Sequence, residues 1–180
     1  MKQWMKGLGL SLAVGMAASS GPVMGQSSEE LKETVRGLDF DAFTTEDRQE
    51  FCGAVRNVSD QMSQQLPMAV DAATQLVGVS TLFVNDVCKV NYGYVITERP
   101  LFEMLQGVIS QQAGEQVPMA FVEQFYGEGE GYQALQNGIR QELAGDPDFS
   151  VLLEVPFVQI SARYNIVGEH LKPFTIRFGH

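Results

Sequence analysis

The sequence predicts an α+β fold in which an antiparallel sheet, built from two β-hairpins, carries amphipathic helices packed on one face. Two regions, 74–97 and 157–178, are rich in strand-forming residues around short turn signals, and within each region one arm, 88–96 or 158–166, alternates apolar and polar residues with period two, which is typical of hairpins. The segments before and between these regions repeat apolar residues at helical spacing. The order helices, hairpin, helices, hairpin favours a single sheet with its helices on one side.

Residues 1–25 have the pattern of a secretory signal peptide. Lys2 and Lys6 form a positive start, Gly7–Ala18 is an uncharged apolar stretch, and small residues follow it. The apolar stretch is shorter than the roughly 18 residues that a membrane-spanning helix needs. Cleavage is predicted after Gly25, with cleavage after Ser20 as the alternative. The chain is therefore expected to be exported, to the periplasm or outside the cell, as a single α+β domain at 26–180.

A mature chain that starts at residue 26 is strongly acidic. The leader contains two lysines and no acid, which leaves 10 basic against 22 acidic residues and a net charge of −12. Binding to nucleic acid or to an anionic membrane surface needs clustered lysine and arginine, so this charge argues against both. It favours solubility and leaves a cationic partner open.

The first long helix is predicted to begin at Thr44, because Asp47 follows three residues later as in a capping box. An earlier capping box at Ser27 predicts a further helix before it. The long helix is expected to end near Pro67. Its apolar face consists of Phe51, Val55, Val58, Met62 and Leu66.

The first hairpin is predicted between Thr74 and Thr97, with Asn85-Asp86 as its two-residue turn. Cys88 lies on the inward-facing side of the returning strand, together with alternate apolar residues. Cys52 lies beside the apolar face of the long helix. Since the two cysteines form an even pair in an exported chain, we predict that Cys52 and Cys88 form a structural disulfide.

Three further helical segments follow the hairpin. Thr97 is a reasonable cap for the first, whose apolar stripe is Leu101, Met104, Leu105, Val108 and Ile109 and which Gly114 ends. The others run from Pro118 to about Tyr126 and from Tyr132 to Ala144, separated by a glycine- and glutamate-rich loop at 127–131. Gly145-Asp146-Pro147-Asp148 predicts a turn.

The last thirty residues have strand composition. An apolar run at Val151–Val155 and an alternating segment at Phe157–Val167 are both predicted as strands. Gly168-Glu169 predicts a turn, after which Pro173–Phe178 returns as the second arm of a hairpin.

One stretch resembles a family of small exported bacterial proteins of unknown function. Leu66-Pro67, Asp71 and Thr74-Gln75-Leu76 precede Tyr92-Gly93-Tyr94, and in those proteins a Leu-Pro, an Asp and a Thr-x-Leu precede a Tyr-x-Tyr strand. The resemblance implies a bacterial exported domain and assigns no activity or site residue.

Catalytic and metal-binding patterns are weak in this sequence. The two histidines, His170 and His180, have no nucleophile or orienting partner nearby in the sequence, and no metal-ligand spacing occurs. We therefore predict no metal and no cofactor. Paired carboxylates in predicted loops leave a hydrolase open, since two acids can hydrolyse a glycosidic bond without histidine. The pairs are Asp39/Asp41, Glu128/Glu130 and Asp146/Asp148.

The C-terminal segment is the predicted interaction surface, because it is locally basic in an acidic chain. Residues 156–180 contain three basic residues and the single acid Glu169, and such an asymmetry can steer a partner. The alternative is that the aromatic residues pack in the core while the charges mark the solvent side of an edge hairpin. The candidate residues are Arg163, Tyr164, Lys172, Phe174 and Arg177.

These observations favour an exported, non-enzymatic binding domain whose partner is a protein of the cell envelope. Contact is expected through the acidic helices or through the edge of the C-terminal hairpin. In its most concrete form the hypothesis is an acidic inhibitor of a cationic enzyme such as a lysozyme-like hydrolase. The alternatives are a hydrolase that uses the loop carboxylates and a carrier of a small apolar ligand. No nucleic acid and no stable membrane anchor are expected, and the oligomeric state stays open.

Overall fold

The computed structural model describes residue 33 and residues 35–179, without the side chain of Asp148. The predicted leader and the predicted cap at Ser27 lie outside these residues. A short 3-10 turn at Phe40–Ala42 precedes the long helix. The helices are α1 Thr45–Ser63, α2 Glu98–Ala113, α3 Met119–Gly127, α4 Gly129–Gly145 and α5 Pro147–Leu153, and the strands are β1 Met68–Ala69, β2 Thr74–Val84, β3 Val87–Thr97, β4 Val158–Val167 and β5 Phe174–Phe178.

The strands form one five-stranded sheet in the order β1-β2-β3-β4-β5. The pairs β1–β2, β2–β3 and β4–β5 are antiparallel, so both predicted hairpins are present and the α+β fold class is confirmed. The two hairpins join through β3 and β4, which are parallel. Parallel neighbours need a long crossover, and helices α2–α5 supply it by returning the chain to the end of the sheet at which β3 begins. The expectation of antiparallel pairing throughout is therefore wrong at this junction.

The two-residue turn of the first hairpin has the predicted geometry. Asn85 and Asp86 both have positive φ, of 53° and 61°, and Val84 pairs with Val87 across the turn. This is the left-handed pair that a type I′ hairpin requires, and asparagine and aspartate tolerate it better than most residues. The turn therefore fixes the register in which β2 and β3 pair.

Helix α1 covers the end of the sheet that contains this turn. The capping box is confirmed, since the Asp47 backbone N–H donates to Thr44 Oγ1 and the Thr44 backbone N–H donates to Asp47 Oδ2. The helix ends at Ser63, four residues before Pro67. Cys52 of α1 and Cys88 of β3 form the predicted disulfide, with their Cα atoms 5.5 Å apart.

The outer edge of β2 is also covered by α1. The Arg56 Nε donates to the Thr81 carbonyl over 3.1 Å, and the Ser63 hydroxyl donates to the Val79 carbonyl over 3.2 Å. A sheet edge with free carbonyls is a template for unwanted pairing. These contacts satisfy two of the edge groups and hold α1 along the strand.

The side chains on one face of the sheet are buried beneath the helices, in two clusters. The cluster beneath α1 and α5 includes the disulfide and Val90, Phe149, Phe157 and Ile160. The cluster beneath α2, α3 and α4 includes Leu76, Tyr94, Ile96, Phe102, Val122, Ala162 and Tyr164.

The strand predicted at Val151–Val155 is wrong, because the chain forms helix α5 at Pro147–Leu153 instead. The Asp146 carboxylate accepts a hydrogen bond of 3.1 Å from the Phe149 backbone N–H, as a helix cap does, and Pro147 occupies a position that suits the first turn of a helix. Periodicity does not distinguish a short apolar run in a helix from one in a buried strand. The Asp146 cap, which lies in the segment predicted as a turn, favours the helix over the strand.

Candidate functional site

The second face of the sheet is open in the described part of the chain. Its side chains come from β2, β3, β4 and β5. Along each strand they alternate with the side chains that the helices bury. They are short and polar or basic at the centre of the sheet. Across the strands they form two rows, Ser80–Asn91–Ser161–Arg177 and Gly78–Gly93–Arg163–Thr175.

These two rows line a concavity of about 750 Å³. Its floor is low because Gly78 and Gly93 pair directly, and a Cβ at Gly93 would lie 3.7 Å from the Gly78 backbone nitrogen. Pro173 and Phe174 contribute to the rim. We call this surface the open face. A volume between 300 and 1,000 Å³ is typical of a ligand-binding cleft.

The open face is cationic in an otherwise acidic chain. The full chain has a net charge of −10, yet none of the acidic residues that the structure describes lies in a strand. Lys89, Arg163 and Arg177 are exposed on this face, and within residues 35–179 they make no ion pair. An arginine without an internal partner keeps its planar set of N–H donors available for a carboxylate or phosphate.

The structure divides the five residues of the predicted interaction surface. Arg163 and Arg177 lie together on the open face, whereas Tyr164 and Phe174 point to the helix side and stack there, with ring centroids 4.8 Å apart. Lys172 is exposed in the loop before β5. The basic residues and the aromatic residues therefore belong to different surfaces, as the alternation of a strand requires.

The edge of β5 is partly covered rather than free. Arg140 of α4 donates from Nη1 to the Arg177 carbonyl over 3.0 Å, and its guanidinium lies 5.3 Å from the centre of the Phe178 ring. The Tyr132 hydroxyl donates to the Lys172 carbonyl over 2.8 Å. The face of the C-terminal hairpin is thus more accessible to a partner than its edge.

Sequence reasoning missed Glu98, which carries the most buried carboxylate of the described chain. It is 5% exposed at the start of α2, and it accepts hydrogen bonds from the backbone N–H groups of Glu169, His170 and Leu171. His170 Nδ1 lies 3.3 Å from the same carboxylate. Burial raises the pKa of Glu98, but the backbone and His170 hydrogen bonds outweigh it and hold the pKa below its usual value.

We interpret this arrangement as a clamp that fixes the loop after β4, because all the bonds to the carboxylate come from consecutive residues of that loop. Glu98 and Glu169 are 71 positions apart, which explains why no local pattern pointed to the contact. A carboxylate at the N-terminus of a helix is a common surface feature, so the sequence contained no signal for its burial.

The three carboxylate pairs of the hydrolase hypothesis lie apart on the structure. Asp39 and Asp41 are exposed beside the 3-10 turn. Glu128 is exposed between α3 and α4, and Glu130 is exposed in the first turn of α4. Asp146 caps α5 through its carboxylate. Each pair therefore belongs to a helix boundary.

The described residues form neither a metal-ion cluster nor a membrane-spanning helix. Residues 35–179 contain no cluster of three or more histidine, cysteine, aspartate or glutamate side chains placed to hold a metal ion. In the same part of the chain, no helix is both long and apolar enough to cross a membrane.

Comparison with known proteins gives one distant structural likeness. No protein-family model and no curated protein matches the chain. Among solved structures, the chain is similar to a protein from Pseudomonas aeruginosa that is described as a "putative secreted protein". The two are 9% identical with a TM-score of 0.38, and the match covers 88% of this chain and 96% of that one. A likeness at this level assigns no function.

Proposed function

We propose that this protein is an exported, non-enzymatic binding domain that holds an anionic group of its partner on the open face of the sheet. The observation that carries the proposal is the distribution of charge. The strands contain Lys89, Arg163 and Arg177 and no acid, whereas every acidic residue that the structure describes lies outside them. Such a separation steers a partner of complementary charge toward one side of the molecule.

The chemistry of the open face favours a carboxylate or phosphate group. Arginine recognises both through two parallel N–H···O bonds. Arg163 pairs with Thr175 and Arg177 pairs with Ser161, so each arginine has a hydroxyl-bearing residue opposite it on the neighbouring strand. The glycine floor lets a ligand approach the backbone closely.

Export is supported by the disulfide between Cys52 and Cys88. Disulfides persist in oxidising compartments and are rare in the cytosol. This agrees with the predicted leader at residues 1–25, so we propose the periplasm or the extracellular space as the location.

The acidic residues outside the sheet favour a second candidate function, inhibition of a cationic enzyme. We call the surface formed by the helices the helical side. Every described aspartate and glutamate lies on a helix, a turn or a loop, on elements other than the strands that form the open face. A basic hydrolase would contact that side, and mutation of the open face would leave its binding intact.

Capture from envelope extract tests which side binds. The chain and its double variant Arg163→Gln/Arg177→Gln are immobilised, and proteins retained at low and moderate salt are compared. Lys172→Gln is the matched control, since Lys172 is a nearby exposed cation outside the open face. We expect a stoichiometric protein that the control retains and the double variant loses. A protein that both variants retain equally would favour the helical side, and turnover of a hydrolase substrate that Glu128→Gln abolishes would favour the enzyme.

A further inference from the structure

A second cleft lies on the helix side of the sheet, where α4 ends and α5 begins. The loop before β2 closes it on the other side, and its volume is about 130 Å³. That volume corresponds to roughly four water molecules at the density of the liquid. We call it the tyrosine cleft, because Tyr94 and Tyr164 line it together.

The two tyrosines of this cleft are buried without a hydrogen-bond partner in the described chain. Tyr94 is 4% exposed and Tyr164 is 3% exposed, and their rings stack with centroids 4.8 Å apart. Neither hydroxyl has a hydrogen-bond partner within residues 35–179, and neither oxygen is among the buried polar atoms that are cut off from solvent, so both are accessible where the tyrosines line the cleft. Two adjacent accessible hydroxyls without an internal partner can accept hydrogen bonds from a ligand in the cleft.

The charge around the cleft is negative. Asp71, Glu142 and Asp146 line it, and no lysine or arginine does among the described residues. Burial raises the pKa of Tyr164, and the charges of Glu142 and Asp71 raise it further, so those carboxylates act on the hydroxyl itself. The site therefore offers neutral hydroxyl oxygens beside negative charge.

The cleft also has an apolar wall and one carboxylate that is held in place by the backbone. Ile139, Leu143 and Phe149 provide its hydrocarbon wall. Asp71 is fixed, because its Oδ1 accepts hydrogen bonds of 2.6 Å and 2.8 Å from the backbone N–H groups of Ala73 and Thr74. An apolar wall beside fixed acceptors suits a ligand with an alkyl stem and a charged donor head.

We propose that the tyrosine cleft binds a small organic cation, through an ammonium or guanidinium head that contacts Glu142, Asp71 and the two tyrosine hydroxyls. The alkyl stem of the ligand lies against the apolar wall. This site is independent of the open face, because Tyr94 and Tyr164 lie on the opposite side of the sheet from Arg163. The cation is either a free small molecule or the side chain of a basic peptide, and both present the same head.

Titration with propylguanidinium and propylammonium tests the proposal, with propanol as the neutral control. The readout is the ring resonances of Tyr94 and Tyr164 in the full chain, assigned by Tyr→Phe substitution. Both cations are expected to shift these resonances saturably, whereas propanol leaves them unchanged. A short arginine peptide in a parallel titration distinguishes the two sources: tighter binding than propylguanidinium indicates a peptide ligand, and equal or weaker binding indicates a free small molecule.

Matched variants locate the binding. Glu142→Gln is expected to weaken it about tenfold, since it removes a charged acceptor, and Glu130→Gln on the same helix is expected to leave it unchanged. Tyr164→Phe should weaken binding without lowering the melting temperature, because the hydroxyl it removes has no internal partner. The proposal is overturned if neither resonance shifts by about 10 mM cation, ten times a Kd of about 1 mM. Equal losses in Glu142→Gln and Glu130→Gln would also overturn it, since they would indicate unspecific attraction to an acidic surface.

Discussion

Arg163 and Arg177 occupy diagonal positions on the open face, because Arg163 pairs with Thr175 and Arg177 pairs with Ser161. Diagonal neighbours on adjacent strands are close enough for long side chains to contact one ligand. Neither arginine has an ion pair within residues 35–179. The two cations are therefore near enough to contact one anionic group, as the proposed function requires.

Removal of the disulfide by Cys52→Ala/Cys88→Ala is expected to lower the free energy of unfolding by about 3–4 kcal/mol. The bond closes a loop of 36 residues and constrains the unfolded chain. Urea denaturation of the double variant, beside the parent with and without reductant, measures the effect. A loss below about 1 kcal/mol would show that the packing of α1 on β3 holds these segments together without the bond.

The carboxylate of Glu98 is expected to make stability fall in acid. Its pKa in the folded state is lowered, so its contribution is present above the unfolded pKa of about 4.3 and is lost as the pH falls through the folded pKa. Glu98→Gln should be less stable at pH 7 and should lose less stability below about pH 4.3. Melting temperatures between about pH 7 and pH 2 measure this.

The matched control for this prediction is Glu103→Gln, on the same helix. Glu103 is exposed, and its ion pair with Arg99 is a surface pair, which typically contributes little. An acid profile that Glu98→Gln leaves unchanged would contradict the clamp.

Gly168 and Glu98 are expected to be energetically coupled. A Cβ at Gly168 would lie 2.0 Å from the Glu98 carboxylate, whose position is fixed by its hydrogen bonds. Gly168→Ala should therefore cost about 1–3 kcal/mol in the parent and clearly less in a Glu98→Ala background. A double-mutant cycle by chemical denaturation measures the coupling, and additive effects would mean that the loop moves aside freely.

The Asn85-Asp86 turn is expected to improve with glycine. Asp86 has a φ of 61°, which costs a residue with a side chain more than it costs glycine. Asp86→Gly should raise the free energy of unfolding by about 0.5–1 kcal/mol, whereas Asp86→Ala should lower it. Thermal unfolding of the two variants tests this backbone effect. If loss of the aspartate side chain were decisive instead, both variants would change the stability in the same direction.

Local signals account for the parts of the fold that the sequence predicted. The capping box at Thr44, the turn at Asn85-Asp86 and the alternation around Cys88 each depend on residues within a few positions. The inward direction of Cys88 then made the disulfide with Cys52 predictable.

The remaining features depend on contacts that are distant in sequence. The parallel pairing of β3 with β4 results from the crossover of four helices, and the burial of Glu98 results from a loop 71 residues later. The separation of Arg163 from Tyr164 follows from strand alternation, but which of the two faces water was decided by where the helices pack. The sequence therefore located the basic segment and could not assign its face.

Binding of a short polyanion, hexaglutamate, tests the central claim most directly. Amide chemical shifts are followed during titration of the parent, of Arg163→Gln/Arg177→Gln and of the control Lys172→Gln. The account predicts saturable shifts at Asn91, Gly93, Ser161 and Thr175 that weaken with salt, persist in the control and disappear in the double variant at an unchanged melting temperature. Shifts confined to the helical side, or equal binding by the double variant, would contradict it.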